Sequence, residues 1–189
     1  GNSLFVRELA DPTAERIALF ADERADAYLL DNDNKTLLIS TNLDAPNGRI
    51  IAVNIDDPTT ENWVDVIPEG ENVINVRSGS GYLFVESMVD ALSQVTQHTL
   101  DGRVVRTIEL PDLGTASGFG GKRDQDRLFF SFTNYRIASA VFELDPESGE
   151  VSLYRESNSP FNGNKYKTEQ VFYTSKDGTR VPMIITYGV

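Results

Sequence analysis

The chain has 189 residues, of which 40% are hydrophobic, and it carries a formal net charge of −12 without any cysteine. This is enough for one domain with a hydrophobic core, and no segment approaches the roughly 18 apolar residues of a membrane-spanning helix. The acidic excess argues against a nucleic-acid partner, because nucleic-acid binding needs basic side chains that neutralise phosphates. The absence of cysteine excludes disulfides and thiolate sites but leaves the compartment open between cytoplasm and periplasm. No signal peptide is visible at the amino end.

Short segments rich in β-branched and aromatic residues recur along the chain, separated by turn-forming residues, and no long segment has a helical apolar stripe. Many short strands at close spacing predict an all-β protein, either a sandwich, a barrel or a propeller. The predicted strands are 3–9, 15–20, 27–31, 36–41, 49–56, 63–68, 72–78, 82–88, 93–100, 103–110, 116–121, 127–133, 138–145 and 151–156.

An internal repeat of about 45 residues favours the propeller, in which each blade is a four-stranded antiparallel sheet. Leu38, Leu83 and Leu128 are spaced by this period, each after a turn. The strand that follows ends in an apolar residue and an aspartate in all three repeats: Ile55-Asp56, Leu100-Asp101 and Leu144-Asp145. From pattern alone a sandwich stays an alternative.

The repeat divides the chain into segments. Residues 1–25 are predicted to hold the outer two strands of an incomplete blade, so we expect the chain to belong to something longer. A polar linker and a terminal hairpin are predicted after the last complete blade. The complete blades are 26–68, 71–110 and 116–156, the linker is 157–167, and the hairpin segment is 168–189.

The hairpin segment consists of two apolar-alternating strands, EQVFYTS (169–175) and RVPMIITY (180–187). The turn between them is Lys176-Asp177-Gly178-Thr179. Asp-Gly between such strands predicts a tight turn with positive φ angles.

The run VFYTSKDGTRVPM (171–183) resembles the junction at which the β-propeller of prolyl oligopeptidase (prolyl endopeptidase) serine peptidases meets the α/β-hydrolase catalytic domain. Residues 41–69, 100–121 and 127–150 resemble the same family in the same order. The resemblance implies that this chain is about the last three and a half blades of a propeller of about seven, ending where the catalytic domain begins.

The resemblance further implies a non-catalytic fragment that gates the access of short proline-containing peptides to a catalytic domain, which would be its partner together with those peptides. The family cleaves with a serine on a Gly-x-Ser-x-Gly turn, backed by His and Asp. This sequence lacks that motif, and Thr115-Ala116-Ser117-Gly118 comes nearest. We therefore expect no activity from the chain alone, and we assign no catalytic, cofactor-binding or metal-binding residue and no cofactor.

Several residues attract attention but are interpreted as structural. His98 is the single histidine, in a predicted strand at the position of Val53 and Glu143 in the other repeats, and it lacks a neighbouring nucleophile motif. Asp31-Asn32-Asp33-Asn34 is predicted to be a turn, because a calcium loop would need glycine and glutamate at Thr36 and Asn42.

Glycine-rich and aromatic segments are also interpreted as structural. Gly118-Phe119-Gly120-Gly121 predicts an innermost strand or a bulge, since it lacks the spacing and following helix of a nucleotide-binding loop. Trp63, Phe129, Phe130 and Phe132 are predicted to be core residues between blades.

A second hypothesis is a stand-alone incomplete propeller that acts as a protein or peptide interaction module. Coding sequence for a Gly-x-Ser-x-Gly turn downstream would favour the peptidase fragment instead. In either case an open set of blades exposes faces and strand edges, so we expect the isolated chain to form a homodimer.

Overall fold

The structure is a computed structural model that describes residues 1–22 and 24–189, and it divides into two compact units, Gly1–Val76 and Arg77–Val189. Within the described residues the regular structure is antiparallel β-sheet with two single-turn 3-10 helices, which confirms the all-β class. No helix there has the length and apolar character to cross a membrane.

The first unit contains a two-stranded and a four-stranded antiparallel sheet, in the orders β1-β2 and β3-β4-β5-β6. A short 3-10 helix at Thr60–Asn62 precedes the last strand. The strands are β1 (Leu4–Val6), β2 (Ile17–Phe20), β3 (Ala27–Asp33), β4 (Thr36–Thr41), β5 (Arg49–Asn54) and β6 (Val64–Ile67).

The core of the first unit lies between these two sheets. Phe20, Ile39 and Ile51 are almost fully buried within it. Trp63 is partly buried, stacks on Phe20 with ring centroids 5.9 Å apart, and donates its indole N–H to the Pro58 carbonyl at 3.0 Å. A partly buried tryptophan satisfies its N–H in this way while its ring packs against the core.

The predicted turn at Asp31–Asn34 is displaced. Strand β3 continues through Asp33, with an irregular register between Leu29 and Asp31, and the turn falls at Asn34 and Lys35. Asn34 has a φ of +52°, a left-handed conformation that asparagine tolerates better than most residues. The polar residues therefore indicate that a turn is present but not which residues are at its centre. Between Leu29 and Asp31, β3 has one residue more than the paired part of β4, and this bulge shifts the turn along the chain.

The second unit, which begins at Arg77 within β7, contains the rest of two four-stranded sheets, in the orders β10-β9-β8-β7 and β11-β12-β13-β14, and the two-stranded β15-β16 hairpin. A second 3-10 helix lies at Gly163–Lys165. The strands are β7 (Ile74–Gly79), β8 (Tyr82–Val89), β9 (Leu92–Thr99), β10 (Val104–Thr107), β11 (Thr115–Gly118), β12 (Leu128–Thr133), β13 (Ala140–Leu144), β14 (Val151–Arg155), β15 (Tyr166–Thr174) and β16 (Arg180–Gly188).

Four phenylalanines form a stack through the core of the second unit. Ring centroids are 6.0 Å apart between Phe84 and Phe119, 4.4 Å between Phe119 and Phe130, and 5.6 Å between Phe130 and Phe142. All four rings are buried, and Phe119 and Phe84 are fully so. This stack joins side chains of both four-stranded sheets into one hydrophobic core.

The core prediction is right for Phe130 and Phe132 but wrong for Phe129. Along β12 buried and exposed residues alternate, and Phe129 is 42% exposed. Its ring contacts Tyr154 edge-on, with centroids 4.8 Å apart, on the opposite face of the sheet. Successive side chains of a strand point to opposite faces, so three aromatic residues so close together cannot all face one core.

The glycine-rich segment after β11 is a bend. Strand β11 ends at Gly118 with a φ of +132°, and Phe119 follows with a φ of +55° and a fully buried ring. A Cβ on Gly79 would lie 2.9 Å from the main-chain nitrogen of Gly121, so the two backbones pass too closely for a side chain. The bend directs Phe119 into the core. Of the two predicted alternatives, an innermost strand or a bulge, the strand is wrong beyond Gly118, where β11 ends.

Hydrogen bonds from polar side chains of β9 and β10 connect the β13–β14 turn to the β10-β9-β8-β7 sheet. Gln97 is fully buried and donates from Nε2 to the Pro146 carbonyl at 2.8 Å, while its Oε1 has no partner among the residues that the structure describes. Arg106 donates from Nη2 to the Glu147 carbonyl at 2.8 Å. Because a buried polar group is costly to leave unpaired, Gln97 specifies where this turn lies.

Candidate functional site at the junction hairpin

The candidate site is the hairpin of β15 and β16, which is confirmed as a hairpin. Each strand has nine residues, and they pair from Tyr166 with Gly188 to Thr174 with Arg180. The pairing runs through all nine residues of each strand without a shift of register.

The turn of the hairpin differs in type from the predicted tight turn. The Gly178 N–H donates to the Ser175 carbonyl at 3.0 Å, and the Ser175 N–H donates to the Thr179 carbonyl at 2.9 Å. Gly178, with a φ of +88°, is the one turn residue in the left-handed region. This is a three-residue loop in which a glycine bulge closes a type I turn, so Asp177 needs no positive φ.

Asp177 stabilises the turn with its side chain. Its Oδ1 accepts hydrogen bonds from the Ser175 hydroxyl and, at 3.0 Å, from the Thr179 N–H. The hydrogen bond from the Ser175 hydroxyl, followed by that from Thr179, lowers the pKa of Asp177 to about 2. Asp177 therefore stays ionised and holds the turn at physiological pH.

The two faces of the hairpin differ. The inner face carries Gln170 and Ile184, which pair across the strands. The outer face is mainly apolar, and its side chains are exposed at Tyr173 (50%), Met183 (43%) and Ile185 (38%). The outer face consists of Lys167, Glu169, Val171, Tyr173, Val181, Met183, Ile185 and Tyr187. None of its residues is buried, so an apolar surface is left uncovered.

The inner face contacts the turn between β8 and β9. Gln170 donates from Nε2 to the Asp90 carbonyl at 2.7 Å, and Arg180 Nη1 lies 3.7 Å from Asp90 Oδ2. Ile184 lines a cavity of about 360 Å³ that also includes Ala91 and Tyr135. The hairpin is therefore held to the blade by polar contacts beside a loosely packed space.

The segment before the hairpin packs against the β12–β13 loop. A Cβ on Gly163 would lie 1.9 Å from the Arg136 carbonyl oxygen, so only glycine permits this approach. Arg136 forms an ion pair with Asp112, and Asn134 donates from Nδ2 to the same carboxylate at 3.0 Å. Burial alone would raise the pKa of Asp112, but hydrogen bonds from the Leu113 N–H, Arg136 and Asn134 outweigh it and hold the pKa below its ordinary value.

Sequence reasoning missed this cluster of Asp112, Asn134 and Arg136. Asn134 Oδ1 also accepts from the main-chain N–H of Arg136 at 2.8 Å and of Ile137 at 2.7 Å, which closes the loop on itself. An asparagine after a strand is a turn signal, yet its partner Asp112 is distant in sequence. Local pattern could show the loop but not the ion pair.

His98 has hydrogen-bond partners on both ring nitrogens. Nδ1 lies 3.0 Å from the Gly102 carbonyl, which can only accept, and Nε2 lies 2.8 Å from the Thr96 hydroxyl. His98 is 7% exposed and pairs with Leu83, as Val53 pairs with Leu37. The ring is engaged within its own sheet, so its interpretation as a structural residue stays the better one.

The nearest match to a nucleophile motif lies in a strand. Ser117 is within β11 and pairs with Ser131, whereas a nucleophile elbow places its serine on a strand-to-helix turn. Among residues 1–22 and 24–189, no group of three or more His, Asp or Glu side chains could hold a metal ion. The assignment of no catalytic or metal-binding residue stays a prediction.

Successive four-stranded antiparallel sheets followed by a hairpin define part of a β-propeller. The family profile described as "Prolyl oligopeptidase, N-terminal beta-propeller domain" matches residues 1–157. The chain therefore belongs to the prolyl oligopeptidase family, in its N-terminal propeller domain, and the resemblance noted from the sequence is confirmed.

Curated relatives agree with this assignment. The chain is 41% identical over 186 residues to a prolyl endopeptidase of Elizabethkingia miricola, covering 98% of this chain and 26% of that protein. It is 39% identical over 187 residues to the prolyl endopeptidase of Elizabethkingia meningoseptica, covering 99% of this chain and 26% of that protein. The chain thus spans about a quarter of the length of these relatives.

Solved structures agree on the fold. A structure from a study of two prolyl endopeptidases and their inter-domain dynamics superposes with a TM-score of 0.82 and 28% identity, over 98% of this chain and 27% of that chain. Ligand-free prolyl oligopeptidase B from Galerina marginata superposes with a TM-score of 0.84 over 98% of this chain and 28% of that chain. At 21% identity the latter shows the fold alone. The prediction of a partial β-propeller is confirmed.

Proposed function

We propose that this chain is the part of a peptidase propeller that gates the access of short proline-containing peptides to a catalytic α/β-hydrolase domain, and that the chain has no activity of its own. The uncovered outer face of the hairpin carries this proposal. It is an apolar surface at the point where the chain leaves the blades, which is where a second domain would pack.

The strand edges of the hairpin support the same proposal. Among residues 1–22 and 24–189, one edge of β15 and one edge of β16 have no strand paired with them. Long exposed edges are sites at which another strand can add. A catalytic domain that extends this sheet would cover both the edges and the outer face.

The packing of the blades supports the proposed gating role. The core of the second unit consists of fully buried rings such as Phe84, Phe119 and Phe132. A core packed this closely resists deformation, so blades beside an active site would admit a short flexible peptide and exclude a folded protein. The names of the relatives, prolyl endopeptidases, support proline-containing peptides as the substrates.

The proposal is tested by cysteine labelling at Ile185 on the outer face, since the chain has no cysteine of its own. In the 189-residue chain Ile185→Cys should react rapidly with a thiol reagent, and in a protein extended through the catalytic domain the reaction should slow at least about ten-fold. Equal rates would contradict packing of that domain on this face.

A second experiment tests gating and inactivity. In the extended protein the ratio of kcat/KM for a folded protein to that for a short proline peptide should rise when Phe130→Ala loosens the blade core. An unchanged ratio would contradict gating. The 189-residue chain should neither hydrolyse a chromogenic proline peptide nor react with an active-site serine probe, and robust hydrolysis by the pure chain would contradict inactivity.

The stand-alone interaction module is less well supported. The relatives that match nearly the whole chain contain it within proteins about four times as long. Exposed aromatic residues on the third blade, Phe129 and Tyr154, still favour self-association of the isolated chain as a homodimer. A monomeric mass in light scattering at high micromolar concentration would contradict the homodimer.

A further inference from the structure

The turn between β8 and β9 has a backbone conformation that is energetically unfavourable for its residues. We define the β8–β9 turn as Val89–Leu92, in which Val89 pairs with Leu92. The two residues between them both have positive φ, +50° at Asp90 and +66° at Ala91. Such turns favour Asp-Gly or Asn-Gly, because the Cβ of alanine approaches the following carbonyl oxygen in this region. The surrounding strands therefore hold the turn in its shape.

This constrained turn presents its main chain to the hairpin. The Asp90 carbonyl accepts from Gln170 Nε2 at 2.7 Å, and the Asp90 carboxylate lies 3.7 Å from Arg180. The guanidinium of Arg180 also lies 3.3 Å from the ring centroid of Phe172, which pairs with Pro182 across the hairpin. The two hairpin residues that contact Asp90 lie on different strands, so one turn holds both strands.

These contacts are weak individually. The side chains of Arg180 and Asp90 are 63% and 45% exposed, and exposed ion pairs contribute little free energy. The cavity beside Ala91 and Ile184 deprives the hairpin of close apolar packing at this place. A segment held by a few exposed polar contacts opens at a small cost in free energy.

We propose that the β8–β9 turn is a latch for the junction hairpin, and that the hairpin docks and undocks as a unit in an equilibrium set by Gln170, Arg180 and Asp90. If the hairpin leads into a catalytic domain, the latch sets how often that domain separates from the blades. This consequence rests on the proposed function, whereas the latch itself rests on the contacts within the 189-residue chain.

A single cysteine on the inner face reports undocking. Ile184→Cys places a partly buried thiol beside the turn, so its reaction with a bulky maleimide should become faster when the hairpin undocks. Adding Gln170→Met with Arg180→Met removes both contacts to Asp90, and the labelling rate should rise about five- to ten-fold. Asp90→Asn, which keeps the carbonyl but removes the charge, should raise it about two-fold.

Two matched controls separate undocking from general loosening. Ile185→Cys lies on the outer face, and its labelling rate should change less than about two-fold when the same two contacts are removed. Lys176→Met, at the exposed hairpin tip, should leave labelling at position 184 unchanged. Equal labelling at position 184 with and without the Asp90 contacts would overturn the latch, as would an equal rise at positions 184 and 185.

Limited proteolysis is an independent measurement of undocking that needs no introduced cysteine. The Gln170→Met/Arg180→Met change alone should speed limited proteolysis within residues 157–165 relative to Lys176→Met, because the undocked hairpin no longer restrains that segment. Equal cleavage rates would count against the latch. Loss of protection at position 185 in the extended protein would instead contradict the proposed function and leave the latch unaffected.

Discussion

The third blade and the junction hairpin are both antiparallel sheets, yet they bury their side chains very differently. In the blade Phe130 is 2% exposed and Phe132 is fully buried. In the hairpin no residue is buried, and Tyr173 is 50% exposed. An alternating pattern thus determines that one face is apolar but not what covers that face.

The difference indicates that the blade is stabilised by its buried hydrophobic core. The hairpin is stabilised instead by the pairing of its two strands, by its turn and by the contacts of Gln170 and Arg180 with Asp90. An isolated two-stranded hairpin is only marginally stable in water. We therefore expect substitutions in the blade to change global stability and substitutions on the outer face of the hairpin to leave it nearly unchanged.

The largest effect is expected in the phenylalanine stack. Phe130→Ala should lower the free energy of unfolding by about 3–5 kcal/mol, because it removes a buried ring and leaves a cavity. Phe129→Ala, one residue away on the exposed face, should cost less than about 1 kcal/mol. Chemical denaturation measures the free energy of unfolding of both variants. A similar loss of free energy in the two would show that the two faces of β12 do not differ in their contribution to stability.

The next effect concerns the contact between sheets at the β13–β14 turn. Gln97→Ala should cost about 1–3 kcal/mol, since it leaves the Pro146 carbonyl without its donor and opens a small cavity. Gln94→Ala, in the same strand but exposed, is the control and should cost less than about 0.5 kcal/mol. Thermal unfolding of the two variants decides whether Gln97 fastens the turn.

A smaller effect is expected from the titration of Asp112 beside the hairpin. Its pKa is depressed in the folded state, so its contribution to stability is present above its ordinary pKa of 3.8 and is lost as the pH falls through the folded value. The melting temperature should therefore fall more steeply in this acidic range for the parent chain than for Asp112→Asn. Parallel curves for the two proteins would show that the ion pair with Arg136 contributes nothing.

The smallest effect is expected on the outer face of the hairpin. Ile185→Ser should change the free energy of unfolding of the 189-residue chain by less than about 0.5 kcal/mol, because the Ile185 side chain is 38% exposed and lies on a face with no buried residue. The same change in a protein extended through a catalytic domain should destabilise it by about 1–3 kcal/mol. A large cost in the short chain would show that this face is covered within the chain itself.

Much of the fold was predictable from residue patterns. The strand segments and the Asp-Gly hairpin follow from alternation and turn chemistry, which act over a few residues. The errors fall where a local irregularity shifts the register, as at the bulge before Asp31, or where a bend replaces a strand, as at Phe119. The alternation of buried and exposed residues along a strand predicts that Phe129 is exposed if Phe130 is buried. The neighbouring phenylalanines led instead to the prediction that all three rings lie in the core.

The sequence alone determined the all-β class, the four-stranded repeat, the terminal hairpin and the resemblance to prolyl oligopeptidases. The tertiary structure decided the contact of Gln170 and Arg180 with Asp90, the pairing of Asp112 with Arg136, and the uncovered outer face. The reason is physical: alternation and turn preference are set by neighbouring residues, whereas these contacts join residues far apart in the chain and depend on how separate strands pack.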